Sequence, residues 1–289
     1  MKQPLFTGVC TALVTPFTGN KVNYRMLDCL IERQIKAGVK AIVLAGTTGE
    51  APTLADEEKY DMIHHAKAFV GNECRIIAGT GTNSTQHAIE LSQSAESAGA
   101  DGLLVVSPYY NKGNPDGLFR HFSAIACSVK LPVIVYNVPT RTGVDVPVSV
   151  YRQLTEKSNI IGVKEASSDI TKISKIRASC GDGLHIWSGN DDQIVPVMAL
   201  GGLGVVSVLS NVCPDETVAM VQAAQDGDYR TASALQIKMM PLINALFSEV
   251  NPIPVKYAMK CIGFDCGNCR LPLGKLSRTN CEHLESLLS

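Results

Sequence analysis

Lys164 has the most pointed chemistry of any residue in the sequence. It closes the run Asn159-Ile160-Ile161-Gly162-Val163-Lys164-Glu165, an apolar stretch of strand-like composition. Lysine is almost never buried without a partner. Apolar surroundings disfavour the ammonium, and the free amine they favour attacks carbonyl carbons. The competing reading is a passive lysine whose stem lies along the strand tip while its charge reaches water. Glu165, the next residue, falls on the other face of a strand and is expected to be structural.

Other groups of reactive or polar residues recur at similar points. Gly46-Thr47-Thr48-Gly49-Glu50 offers two hydroxyls and glycine-freed amides, enough to hold a carboxylate without net charge. It also reads as a tight turn. Tyr136-Asn137-Val138-Pro139 ends another apolar run, and a phenol within a hydrogen-bond network can pass a proton. Arg141, in Thr140-Arg141-Thr142-Gly143, carries a planar fork suited to a carboxylate, although most arginines make surface ion pairs. Ser107-Pro108-Tyr109-Tyr110-Asn111 reads as a turn with aromatic plugs. Neither Ser188-Gly189-Asn190-Asp191-Asp192 nor Gly204-Val205-Val206-Ser207 holds a lysine or arginine, so a phosphorylated substrate is not expected. Asp191 and Asp192 are expected to cap the helix that follows.

Some residues suggest chemistry without supporting it. Cys266-Gly267-Asn268-Cys269 is a CxxC near Cys261, Cys281 and His283, but the spacing is too irregular for a structural zinc site, and reduced thiols are expected. His64 and His65 fall mid-helix, His121 and His185 lack an evident partner, and Trp187 should pack at a strand end.

The elements that must position these groups alternate along the chain. Strands are expected at Gly8–Thr15, Ala41–Ala45, Arg75–Ala78, Gly102–Val106, Val133–Tyr136, Ile160–Lys164, Leu184–Trp187 and Gly204–Val208. Most are continuous apolar runs, the mark of parallel strands covered on both faces. Between them lie helical patterns: Tyr24–Ala37, Asp56–Val70, Thr85–Ala98, Asp116–Val129, Val148–Lys157, Ile170–Ala178, Gln193–Leu200 and Glu216–Gln225. Thr53 with Asp56, and Asn83 with Gln86, resemble capping boxes. Gly38, Gly99 and Gly181 stand where helices close. The alternation predicts a (β/α)₈ barrel over residues 1–225. Only helical patterns follow (Tyr229–Phe247, Pro254–Ile262, Asn280–Leu288), so 226–289 is expected to be a helical appendix packed on the barrel. A doubly wound open sheet would need a glycine-rich turn after the first strand, and Thr15-Pro16-Phe17-Thr18 is not one. In a barrel, the groups described above all fall at the C-terminal ends of strands, where barrel active sites lie.

Composition narrows the function classes. The 289 residues are 45% hydrophobic and 18% charged, with a formal net charge of −1 and no run of one sign. That excludes a disordered chain and the concentrated basic face that nucleic acid or a membrane surface requires. The start of the chain lacks a signal-peptide core, and no apolar run approaches a membrane span, so a cytoplasmic protein with reduced cysteines is expected.

The motifs Gly46-Thr47-Thr48-Gly49-Glu50, Tyr136-Asn137-Val138-Pro139, Val163-Lys164-Glu165-Ala166, Asn251-Pro252-Ile253-Pro254-Val255-Lys256 and Leu271-Pro272-Leu273 are weak singly and specific in this order. Together they resemble the pyruvate-dependent, Schiff-base-forming aldolase family over nearly the whole length. The resemblance implies that Lys164 forms an imine with pyruvate. It implies a proton relay of Thr47, Tyr136 and Tyr110, with Tyr110 reaching in from a neighbouring subunit. Thr48 would hold the pyruvate carboxylate, Arg141 the carboxylate of a second substrate, and Val206 would supply a backbone carbonyl near the lysine, with Gly189 also in the substrate-binding set. Arg141 and Pro108-Tyr109-Tyr110-Asn111 point to the branch that condenses pyruvate with aspartate semialdehyde in lysine and diaminopimelate biosynthesis. The alternative is cleavage of a sialic acid or sugar-acid aldol. A non-enzymatic relative would be marked by loss of Lys164 or Tyr136, and both are present. No metal or organic cofactor is implied, and a homotetramer built as a dimer of dimers is. Members inhibited by lysine carry an acid on the third helix where this chain has His87, and Ala51, Asp56 and Lys59 also depart from that pattern. Feedback inhibition by lysine is therefore expected to be weak or absent.

Overall fold

The computed structural model describes residues 2–289. Eight parallel strands close into a barrel. They are β1 (Gly8–Ala12), β2 (Ala41–Leu44), β3 (Arg75–Gly79), β4 (Gly102–Val106), β5 (Val133–Asn137), β6 (Ile160–Glu165), β7 (His185–Ser188) and β8 (Gly204–Ser207). β1 pairs with both β2 and β8, which completes the closure. The (β/α)₈ expectation is met, and with it the strand count. The reason is the one visible in the sequence: strands buried on both faces carry apolar residues throughout.

Around the barrel run α1 (Tyr24–Lys36), α2 (Asp56–Val70), α3 (Thr85–Ser97), α4 (Pro115–Cys127), α5 (Val148–Leu154), α6 (Ile170–Cys180), α7 (Ile194–Ala199) and α8 (Pro214–Gln225). Then come α9 (Tyr229–Leu246), α10 (Ile253–Cys261) and α11 (Arg278–Leu288). Leu242, Leu246, Val255, Met259 and Leu284 join the same buried cluster as the barrel-facing sides of α1 and α2. The C-terminal helices thus share a continuous core with the barrel. A second cluster, including Phe6, Cys10, Ile134, Tyr136, Trp187 and Val206, fills the barrel interior. Trp187 is fully buried there and stacks on Phe6 with ring centroids 4.9 Å apart.

Local signals were partly misread. β1 stops at Ala12, and a short hairpin, Phe17–Thr18 with Lys21–Val22, follows it unannounced. Neither capping box forms with the expected residues. The Glu58 carboxylate accepts from the Ala55 amide at the start of α2 (3.0 Å), and Ser84 Oγ accepts from the His87 amide at the start of α3 (3.4 Å). Both helices start where expected, at Asp56 and Thr85, but their caps fall at Ala55 and Ser84, two and one residues past Thr53 and Asn83.

Four residues other than glycine hold positive φ: Ala45, Glu50, Tyr110 and Ser168. All four lie just past the C-terminal ends of β2, β4 and β6. Backbone strain of this kind gathers where loops are shaped for function.

Candidate active site

β5 and β6 pair so that Tyr136 stands opposite Lys164 and Asn137 opposite Glu165. Alternation turns the first pair into the barrel and the second outward. The outward pair forms a buried network. Asn137 Nδ2 donates to Glu165 Oε1 (2.8 Å), and Glu165 also accepts from the Ser167 amide (2.9 Å) and the Tyr151 hydroxyl (3.2 Å). Burial pushes the Glu165 carboxyl above its ordinary range, against the pull of Lys172. Glu165 is structural, as strand alternation requires.

The inward pair holds the candidate for chemistry. Lys164 is only 5% exposed, and its Nζ lies 4.2 Å from the Tyr136 ring centroid. The other two buried lysines, Lys172 and Lys256, each pair with a carboxylate, Asp145 and Glu50 respectively. Among the described residues Lys164 has no such partner. A lysine that is buried, unpaired and packed on an aromatic face is what an amine nucleophile needs and what a structural lysine avoids. Gly189, after β7, leaves room for it: a Cβ there would lie 3.1 Å from Lys164 Cε and 2.6 Å from Ala166 Cβ.

Tyr136 of this pair also lines a cavity of about 510 Å³, together with Thr47, Arg141 and Asn251 among others. Thr48 is buried beside it, and its Oγ1 accepts a hydrogen bond from Asn251 Nδ2 (3.0 Å). Arg141 sits at the rim on the helical turn Pro139–Thr142, and its Nη2 donates to the Asn251 carbonyl (3.2 Å). A side arm of the same cavity is lined by Ala51, Asp56, Lys59, Asn83, His87 and Tyr109. There Asp56 accepts from Lys59 Nζ (3.0 Å) and from His87 Nε2 (2.9 Å).

One expected site residue stands apart from this constellation. Tyr110 is 90% exposed at φ +71° and does not line the cavity of its own chain. Val206 lies in β8 opposite Cys10 and belongs to the same buried cluster as Tyr136.

Other expectations are corrected. Asp191 does not cap the following helix. It is buried, and its Oδ2 accepts from the Val208 and Leu209 amides (2.9 Å each), closing the loop after β8. Burial pushes its carboxyl upward, with the Ser207 hydroxyl and those amides opposing. His121 and His185 do have partners, Thr85 Oγ1 (2.9 Å) and the Lys2 carbonyl (2.8 Å). Cys266 is buried, and burial pushes its thiol up to about 12. Among the described residues no three acidic, histidine or cysteine side chains converge to hold a metal.

A closed barrel with a cavity at the C-terminal ends of its strands, and an unpaired buried lysine beside a tyrosine that lines it, is the architecture of a (β/α)₈-barrel enzyme. The chain belongs to the dihydrodipicolinate synthetase family, whose model matches residues 5–289. It is 47% identical over 288 residues to a 4-hydroxy-tetrahydrodipicolinate synthase of a Thermoanaerobacter species, covering 99% of this chain and 97% of that one. Among solved structures it is similar to the dihydrodipicolinate synthase of Aquifex aeolicus, with TM-score 0.96 and 41% identity, covering 98% of this chain and 97% of that one. It is equally similar in fold to a dihydrodipicolinate synthase variant described as monomeric, with TM-score 0.96 and 38% identity, covering 98% of this chain and 96% of that one. These relatives are synthases, not lyases that cleave sialic or sugar acids.

The sequence reading missed Asn251 as the partner of both Thr48 and Arg141. Its motif was visible, but nothing local to Asn251 points to residues so far away in the chain.

Proposed function

We propose that the chain condenses pyruvate with L-aspartate 4-semialdehyde to give 4-hydroxy-tetrahydrodipicolinate, the reaction named for its relatives. The observation that carries this reading is Lys164: buried, unpaired and set against Tyr136 at the end of β6.

The Lys164 amine attacks the keto carbon of pyruvate, and loss of water gives an imine. The imine draws electrons from the methyl carbon, which loses a proton and becomes an enamine nucleophile. That carbon bonds to the aldehyde carbon of the second substrate, and the aldehyde oxygen takes up a proton. The substrate's amino group then attacks the imine carbon, closes the ring and frees Lys164. Thr47, Tyr136 and Tyr110 pass the protons. Hydroxyls suit this task because they place no fixed negative charge beside the lysine. Thr48 holds the pyruvate carboxylate, Arg141 clamps the carboxylate of the semialdehyde, and Val206 and Gly189 shape the space around the lysine. The protonated imine on Lys164 is the electron sink, so the proposed steps call for no metal or organic cofactor.

Two features support assembly into a homotetramer of paired dimers. Tyr110 is presented to solvent at a strained backbone angle, and Leu271, next to the cavity-lining Pro272, is 84% exposed. A tyrosine that serves catalysis from outside its own cavity needs a second subunit. Ten free cysteines, and the absence of any described helix long and apolar enough to cross a membrane, favour a cytoplasmic setting.

Borohydride reduction in the presence of pyruvate, read by intact mass, tests the reading. A pyruvate adduct is expected on the wild-type chain and none on Lys164→Ala. An adduct that persists in Lys164→Ala sinks it.

A further inference from the structure

We infer that Asn251, contributed by the segment between α9 and α10, is a positioning residue that sets the Thr48 hydroxyl as a hydrogen-bond donor to the pyruvate carboxylate. The inference rests on the role proposed above for Thr48.

A threonine hydroxyl has one hydrogen to give and two lone pairs. Asn251 Nδ2 donates to one lone pair at 3.0 Å. The hydroxyl hydrogen is then left without an acceptor among the described residues, beside the cavity that its neighbours Thr47 and Asn251 line. The opposite amide orientation would place the Asn251 carbonyl oxygen against Thr48. It would consume that hydrogen and leave nothing to donate to an anion. Asn251 Oδ1 is buried with no partner among the described residues. The opposite orientation would leave Nδ2 in the same position, so burial does not choose between them. What distinguishes the orientation present is that it keeps Thr48 as a donor.

Asn251 also acts through its main chain. Its carbonyl accepts from Arg141 Nη2 at 3.2 Å. One residue therefore joins the groups proposed to hold the carboxylates of the two substrates, by its side chain in one case and its backbone in the other. The far end of the threonine turn is tied to the same region of the chain. Glu50, at φ +59°, accepts from Lys256 Nζ (2.6 Å) and from the Arg270 amide (2.8 Å), and both carboxylate and ammonium are buried. The turn Gly46–Glu50 is thus held at Thr48 and at Glu50 by partners from the C-terminal part of the chain.

The division between side chain and backbone makes the inference testable by substrate. Asn251→Ala removes the Thr48 contact and keeps the carbonyl that Arg141 uses. The KM for pyruvate, and the pyruvate concentration that half-saturates borohydride trapping, should both rise about tenfold, the worth of one well-placed hydrogen bond. The KM for the semialdehyde should stay close to that of the wild type. Asn251→Asp keeps the shape but has no amide hydrogen and adds an anion, so its pyruvate KM should rise further and recover as pH falls. In a Thr48→Val background, Asn251→Ala should add little. Wild-type pyruvate KM in a folded Asn251→Ala or Asn251→Asp protein overturns the inference, as do effects of Thr48→Val and Asn251→Ala that multiply independently. A wild-type chain that forms no pyruvate adduct overturns the underlying reading as well, so the two failures are distinguishable.

Discussion

His87 Nε2 lies 2.9 Å from Asp56, whose carboxylate also takes Lys59. In the side arm of the cavity both carboxylate oxygens of Asp56 therefore already accept from the chain's own donors, and the residue that would have to be acidic is a histidine. A histidine ring offers an ammonium at best one neutral lone pair and at worst a like charge. Steady-state rates at saturating substrates should be unchanged by millimolar lysine. Strong inhibition would show that the arm rearranges to accept an ammonium, and would refute the argument. Lys164 was legible from sequence because its surroundings were local: an apolar run on one side and a family motif on the other. Asn251 was not, because the Thr48 contact spans 203 positions of sequence. Asp191 was misplaced for the same reason: its partners are amides beyond β8, and nothing adjacent to it reveals them.

Secondary elements were legible to the degree that burial dictated them. Every barrel strand was found from its apolar character, and the misreadings fell where hydrogen bonds rather than burial decide, as at the end of β1 at Ala12 and in the capping residues of α2 and α3, whose starts were read correctly. One contact between elements governs how the loop before α11 is fastened. Arg270 binds both Glu58 carboxylate oxygens (2.7 and 2.6 Å), donates to the carbonyls of Thr53 and Asn20, and stacks on Phe17. The Arg270 hydrogen bonds hold the Glu58 carboxyl below its usual range. A carboxyl with a depressed folded-state pKa stabilises the fold above its unfolded pKa, and that contribution disappears as pH falls through the folded value. Arg270→Gln should therefore lower the thermal midpoint at neutral pH, and the gap from wild type should narrow below about pH 5. A gap that stays constant down to acid pH would mean that packing on Phe17, not the ion pair, is what Arg270 supplies.

At the scale of the whole molecule, the question is whether one chain makes a complete site. Tyr110, 90% exposed, cannot pass protons within its own cavity. Tyr110→Phe should lose much of the turnover rate while still forming the pyruvate adduct, because imine formation needs only Lys164 and the groups around it. A Tyr110→Phe protein with full turnover would free the single chain from needing a neighbour, in keeping with the monomeric variant it is similar to. The barrel was legible as a whole because its pattern repeats, whereas an interface is one surface with no period to read.

The bond between Thr48 and Asn251 joins the second strand's turn to a residue near the end of the chain. During synthesis the threonine turn leaves the ribosome long before its partner does. Glu50 likewise waits for Lys256 and Arg270. Through most of translation the nascent barrel holds a carboxylate with no cation and a hydroxyl with no fixed direction. The contacts at Thr48 and Glu50 can form only after the segment carrying Asn251, Lys256 and Arg270 has been made, well after the eight barrel strands themselves.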